Sequence, residues 1–171
     1  MSRVKEDVFT EFSAVTGDLL GNSYVRSMSG YNHHGKISTH YHSVYVALTV
    51  TKMCRVLNID KDKRAEIIRA ALLHDLYLYD WHTEKHAENH IYYHPKEAVR
   101  NIDRLGVMKL TDMQRHMIIR HMFPLAPLPD SLGGWLLTAA DKYCATMELA
   151  GLSKGFAAYY RRLTEKNGHD V

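Results

Sequence analysis

"RAALLHDLYLYDWH", residues 69–82, decides how the rest of the chain is read. Its first half continues an apolar helical run, Ala70 to Leu73. The run stops at His74-Asp75 and gives way to aromatics and a second Asp-x-His, Asp80 to His82. Burying a polar or charged group without a partner is costly. A histidine and an aspartate side by side at the end of a core-bound helix therefore call for a common partner.

Upstream, Asp60 is an N-cap for a helix that runs through Ile67, Ile68 and Ala71 to His74. Before it, His42 heads a stripe of Val46, Val50, Met53 and Leu57 at helical spacing. Downstream, Pro95 suits a first helical turn and opens a helix to about Leu105, before Gly106. A proline disfavours helical backbone in the residue before it. His94 is therefore expected at the start of that helix and aimed separately, not as a fourth rung of the ladder His82, His86, His90. Those three read as surface or pocket-rim residues. Thr111 or Asp112 caps the next helix, through Met113 and Met117 to His121; residues 131–149 and 152–165 make the last two. Residues 4–20 form a short amphipathic helix, "SMSGYNHHGK" (27–36) reads as a loop, and "FPLAPLP" (123–129) as a linker. With few β signals, the expectation is an all-α bundle of about six helices with short connections. It divides into an N-terminal helical extension (1–29), a main domain (30–150), and a C-terminal helix and tail (151–171).

At 171 residues the chain suits one domain and needs no disulfide staple. Cys54 and Cys144 sit in apolar contexts and read as buried thiols of a reducing compartment. The formal charge is +3 with histidines neutral, and Lys and Arg are scattered. That does not support a nucleic-acid groove and suits a small anionic partner. "MSRVKEDVF" (1–9) lacks the apolar segment of a secretory signal, and no run approaches a membrane span. A cytoplasmic protein is expected. Of 12 histidines, eleven fall between His33 and His121, which marks that part of the chain as the chemistry.

On these helices His42, His74 and His121 point inward. Asp75 flanks the same buried face, and Asp141 lies in "LLTAADKYCA" with Leu137 four before it and Ala145 four after. Taken singly, each has an ordinary reading: a hydrogen-bonded core histidine, a capping aspartate, or, for His116, a solvent-facing ring. Taken together, five or six ionisable groups from four helices are compensated at once by one or two divalent ions. Histidine and carboxylate donors fit Fe, Mn, Co, Ni or Zn. A purely structural bundle is the contrary reading, and it predicts a protein without metal.

The pattern His42, His74-Asp75, Asp141 resembles the H…HD…D signature of the HD-domain superfamily of metal-dependent phosphohydrolases. "HSVYVAL" (42–48), "ALLHD" (71–75) and "TAADKYCA" (138–145) carry the likeness. His94 in "HPKEAV" and His121 in "IIRHMFP" match the extra ligands of its two-metal branches, which include cyclic-dinucleotide phosphodiesterases and HD-type dinucleoside-tetraphosphate hydrolases. "HG-x-x-S-x-x-x-HS" (34–43), "LLHDLYLYDWH" (72–82) and "IIRHMFPL" (118–125) resemble more closely a group of small stand-alone bacterial HD hydrolases. The likeness covers about residues 30–150.

The resemblance implies a helical bundle around a central metal site. It also implies hydrolysis of a small phosphoester, a nucleotide by preference, through hydroxide generated at the metal. His42, His74 and Asp141 would serve one ion and His94 and His121 the other, with Asp75 bridging both and acting in catalysis. Many members place Lys or Glu three residues after the HD aspartate, where this chain has Leu78. A phosphate contact must then come from elsewhere, with His34, Lys36, Arg120 and Lys142 as candidates. Asp80 and His82 are candidates for proton transfer to the leaving oxygen, or else a turn cap and an exposed histidine. Trp81, Tyr77 and Tyr79 are candidates for a base-stacking wall, or else packing. The alternative function is a catalytically degenerate HD module that senses metal or nucleotide. Leu78 favours it and the intact ligand set opposes it. Neither a membrane nor a nucleic-acid polymer is expected as partner; a homodimer is open.

Overall fold

The structure, a computed structural model, describes the backbone of residues 2–166 and the side chains of 8–165; Met1 and residues 167–171 of the expected tail lie outside it. Among the described residues there are eight α-helices and one two-stranded hairpin. Helix α1 is Ser2–Gly21 and α2 is Ser23–Ser27, the latter started by the Asn22 side chain, which accepts from the Tyr24 and Val25 amides. A 3₁₀ turn, Met28–Gly30, leads into strands β1 (Asn32–His34) and β2 (Ile37–Ser38). The six further helices are α3 (Thr39–Val56), α4 (Lys61–Leu73), α5 (His90–Arg104), α6 (Asp112–Arg120), α7 (Leu132–Leu149) and α8 (Lys154–Lys166).

The helix starts follow from side chains that satisfy first-turn amides. Asp60 accepts from the Asp62 and Lys63 amides, and Ser131 from the Gly134 amide. Of the two candidates before α6, Thr111 is the cap, in a reciprocal capping box with Gln114.

Helix α3 lies at the centre, packed on α4 and α7, with α1 across α3 and α4 and α6 against α4, α5 and α7. Phe12 and Leu19 of α1 share one core with Val44 and Val50 of α3, Ile68 and Leu72 of α4, and Leu137 of α7. Cys54 and Cys144 are buried free thiols. Gly133 marks a close approach: a Cβ there would stand 2.9 Å from Ile67 Cγ1 and Met117 Sδ, so α7 is pressed onto α4 and α6. Among the described residues no helix is long and apolar enough to cross a membrane.

Two local expectations are corrected. Residues 27–36 are not simply a loop, because they hold the 3₁₀ turn and the first strand and turn of a short antiparallel hairpin. Strands of three and two residues are too short to show alternation in sequence. Gly35 makes the turn at φ +57°, and the Thr39 amide donates to Tyr31 O at 2.8 Å, closing the hairpin's base onto α3. His94, in turn, lies inside α5 and does not begin it. The helix opens at His90, where the Asn89 side chain accepts from the Ile91 amide at 3.0 Å, and Pro95 falls in its second turn. A proline there forfeits one backbone hydrogen bond, and burial of His94, Pro95, Ala98 and Ile102 offsets the loss. The last rung of the histidine ladder is consequently real: the His90 and His94 rings stack at 4.6 Å.

Candidate metal centre

His74 and Asp75 stand just past the last residue of α4, in a turn held from across the bundle. Asn101 of α5 donates to the carbonyls of Leu76 at 3.0 Å and Tyr77 at 2.9 Å. The turn completes itself through Leu78 at φ +53°, a conformation costly for a residue with a β-carbon. Leu78 packs against the hydrophobic core and lines no part of the cleft described below.

The histidines share one arrangement. His74 Nδ1 lies 2.9 Å from Ala71 O, His94 Nδ1 2.8 Å from His90 O, and His121 Nδ1 2.7 Å from Ile118 O. A carbonyl only accepts, so each Nδ1 carries the proton and donates, which leaves Nε2 of the neutral ring to present a lone pair. His42 Nδ1 is held in the same way by the Glu148 carboxylate at 2.9 Å. The four Nε2 atoms then meet at Asp75 and Asp141. His42 Nε2 is 3.0 Å from Asp141 Oδ1, and His74 Nε2 is 3.9 Å from the same oxygen. Asp75 is shared: its Oδ1 faces Nε2 of His94 at 3.3 Å and of His121 at 3.9 Å, and its Oδ2 faces Nε2 of His74 at 3.5 Å. None of these six residues is more than 8% exposed.

These residues fit a divalent cation. The Nε2 atoms of His94 and His121 are 3.0 Å apart, two lone pairs face to face. His74 Nε2 and Asp75 Oδ1 are buried with no hydrogen-bond partner among the described residues. Three carboxylates, Asp75, Asp141 and Glu148, are gathered there, and the nearest ammonium, Lys142 Nζ, is 4.0 Å from Asp141 Oδ2. Three overlapping trios, His42–His74–Asp141, His74–Asp75–His121 and His33–His42–Asp75, each bring one donor atom per residue within 4.8 Å of the others. Nitrogen and carboxylate oxygen donors in such trios suit a transition metal. An outer partner on Nδ1 is the usual means of fixing a ligand imidazole.

Electrostatics point the same way. Burial pushes the Asp75 carboxyl up, but His74, His33 and His94, wherever their rings carry a proton toward it, outweigh burial and hold it well below the usual carboxylate range. Burial likewise opposes ionisation of Asp141, and the hydrogen bond from His42 prevails. Burial alone would lower His42; the Asp141 and Glu148 carboxylates instead hold it up to about 10, so without another cation His42 serves as one. His121, buried beside His74 and His94, is pushed down to about 3 and stays neutral.

A cleft of about 480 Å³ opens onto this cluster. Of the sequence-derived candidates, His34 and Lys142 line it, and Lys142 Nζ donates to His121 O at 3.3 Å. Trp81 forms part of its wall, stacked on His90 at 4.9 Å, whereas Tyr77 and Tyr79 are buried and do not reach the cleft. Lys36 is exposed on the hairpin turn, outside the lining. Arg120 holds the linker, with Nη1 2.9 Å from Leu128 O and 3.3 Å from Asp130 Oδ2. Asp80 caps a turn, accepting from the His82 amide at 3.0 Å and the Thr83 hydroxyl at 3.1 Å, and it too lies off the cleft.

The structure adds two residues that sequence reasoning missed. Glu148 follows Asp141 by seven and Cys144 by four, so helical arithmetic on α7 would have found it on the buried stripe. His33 had no such signal. It comes from the hairpin, its Nε2 lies 3.2 Å from Asp75 Oδ2, and its ring stacks on that of His42 at 3.8 Å.

The family model of the HD domain matches residues 39–146. No curated protein and no solved structure matches the chain.

Proposed function

This chain belongs to the HD-domain family, and from that premise we propose that it is a metal-dependent phosphohydrolase acting on a small phosphoester, with a nucleotide as the substrate class. One observation carries the reading: four imidazoles, each committed through Nδ1, turn their Nε2 atoms onto two buried carboxylates. His42, His74, Asp75, His94, His121 and Asp141 would hold one or two ions of Fe, Mn, Co, Ni or Zn, with Asp75 shared between them. A divalent ion so held supplies positive charge for a phosphoryl oxygen and lowers the pKa of water toward neutrality.

The chain's own groups would do the rest. Lys142, on the rim beside Asp141, is the ammonium for a non-bridging phosphoryl oxygen. His34, half-buried and held below its ordinary pKa first by burial and then by His42, is a neutral hydrogen-bonding group on the same rim. Trp81, backed by His90, with Ile91 and Leu125 makes an apolar wall suited to a base or another flat group. Burial of the two aspartates keeps water from screening their charge.

The test is turnover of a nucleotide panel by the purified chain with added Mn²⁺ or Fe²⁺, with Asp75→Ala as the control. Product release that disappears in D75A is expected. Tight nucleotide binding without product under any metal would overturn the hydrolase in favour of a sensor. A chain that takes up no metal would leave a structural bundle.

A further inference from the structure

We propose that His33 is a further metal-ligating residue, delivered to the centre by the β1–β2 hairpin, for the transition-metal ion that Asp75 and His42 also hold. The proposal rests on the metal-centre reading above and adds a donor from outside the helices that carry the others.

The geometry of Asp75 assigns the side. Its Oδ1 faces His94 and His121, and its Oδ2 faces His74 at 3.5 Å and His33 at 3.2 Å. His33, His42 and Asp75 bring one donor atom each within 4.8 Å of one another. The His33 ring lies parallel to that of His42, 13° between planes at 3.8 Å, so the two present their edges to the same space. Its side chain is only 12% exposed, and Nδ1 is buried with no hydrogen-bond partner among the described residues. A neutral imidazole has one N–H and one lone pair. A proton on Nε2 strands the Nδ1 lone pair. A proton on Nδ1 turns the Nε2 lone pair onto a carboxylate oxygen, a repulsion that a shared cation converts into two bonds.

The hairpin explains how a short segment delivers a ligand. The Thr39 amide and hydroxyl both donate to Tyr31 O, at 2.8 and 3.2 Å, tying the hairpin's base to the first residue of α3. His42 sits one turn further along that helix. Seating the hairpin and completing the ligand set are therefore one event, and binding of the ion orders both.

The experiment uses the full-length protein, His33→Ala, and His116→Ala as control, since His116 pairs with Asp130 at the surface. Each is loaded with Co²⁺, and three quantities are read: metal per chain, affinity by chelator competition, and the visible Co²⁺ absorption. H33A is expected to bind about 10–100-fold more weakly, a loss at least that of an outer-shell partner, with a changed visible band; H116A should match the parent. Amide exchange of residues 31–38 in the parent, with and without Co²⁺, gives a readout that needs no variant, and slower exchange with metal is expected. Equal affinity and an identical band in H33A, or hairpin exchange indifferent to Co²⁺, would overturn the assignment of His33 alone. A parent that binds no divalent ion would instead overturn the metal-centre reading.

Discussion

His94 and His121 hold their Nε2 atoms 3.0 Å apart, while each ring donates its Nδ1 proton to a carbonyl of its own chain segment, His90 O and Ile118 O. Two lone pairs brought together by two separate helices are stable only around something positive. The two helices that bear these rings pack directly on one another, so the pair reports on the centre and on the α5–α6 contact at once.

Because both rings face Asp75 Oδ1, His94→Ala and His121→Ala are expected to act on the same ion. Each should weaken metal binding by about 100-fold or more, beyond the 10–100-fold typical of an outer partner. The double variant should lose far less than the product of the two. Chelator competition on the three proteins checks this; strictly multiplicative losses would place the rings on different ions.

Glu148 reaches the centre through His42 Nδ1, at 2.9 Å. Glu148→Gln keeps the shape and removes the charge that sets the ring's orientation. Metal affinity should fall about 10–100-fold with the far-UV spectrum unchanged. Titration with Mn²⁺ followed by elemental analysis measures it.

Trp81→Ala removes the wall of the cleft and leaves the ligands intact. KM for a nucleoside phosphate should rise about tenfold, the worth of roughly 1.4 kcal/mol of lost base stacking. KM for a phosphoester with an aliphatic leaving group should hardly move. Equal effects on both would assign Trp81 to packing.

Glu11 ties α1 to the core's edge, accepting from Arg55 Nη1 and Arg64 Nε at 2.7 Å each. Burial raises its carboxyl, and the two arginines outweigh this and hold it below the ordinary value. A carboxylate with a depressed folded pKa contributes stability above its unfolded pKa, and that contribution disappears as pH falls through the folded value. Glu11→Gln should cost about 1–2 kcal/mol at pH 7. The gap in unfolding midpoint between parent and variant should narrow once pH drops past about 4.3. A gap constant from pH 7 to 3 would show that the charge contributes nothing.

Two glycines should respond to alanine in opposite directions. Gly17 lies in α1, and a methyl added there would meet nothing within 4 Å, so Gly17→Ala should stabilise by about 0.5–1 kcal/mol through helix propensity and chain entropy. At Gly133 the same methyl meets Ile67 and Met117 at 2.9 Å. Overpacking of about 1–3 kcal/mol should exceed the propensity gain. Denaturant midpoints of the two variants decide the matter.

The helices and most of the centre are legible in the sequence because they are written in local terms. The caps Asp60, Thr111 and Ser131 act on amides two or three residues away. The inward direction of His42, His74 and His121 follows from a 3.6-residue period shared with the apolar residues around them. His94 is legible as a candidate but not in its place within the helix, since the bias Pro95 imposes is local and tertiary burial overrides it.

The sequence by itself determined an all-α chain with a histidine and carboxylate set spaced along its helices, because helix periodicity and capping depend on neighbours a few residues apart. Only the tertiary structure decided that Glu148 holds His42 across 106 positions of chain, that Asp80, Lys36 and Arg120 stay off the cleft, and that a short hairpin brings His33 to Asp75. Those relationships depend on how α3, α7 and the hairpin are rotated and seated against one another. That rotation is set by the packing of the whole core, as at Gly133, and by no pattern a single segment carries.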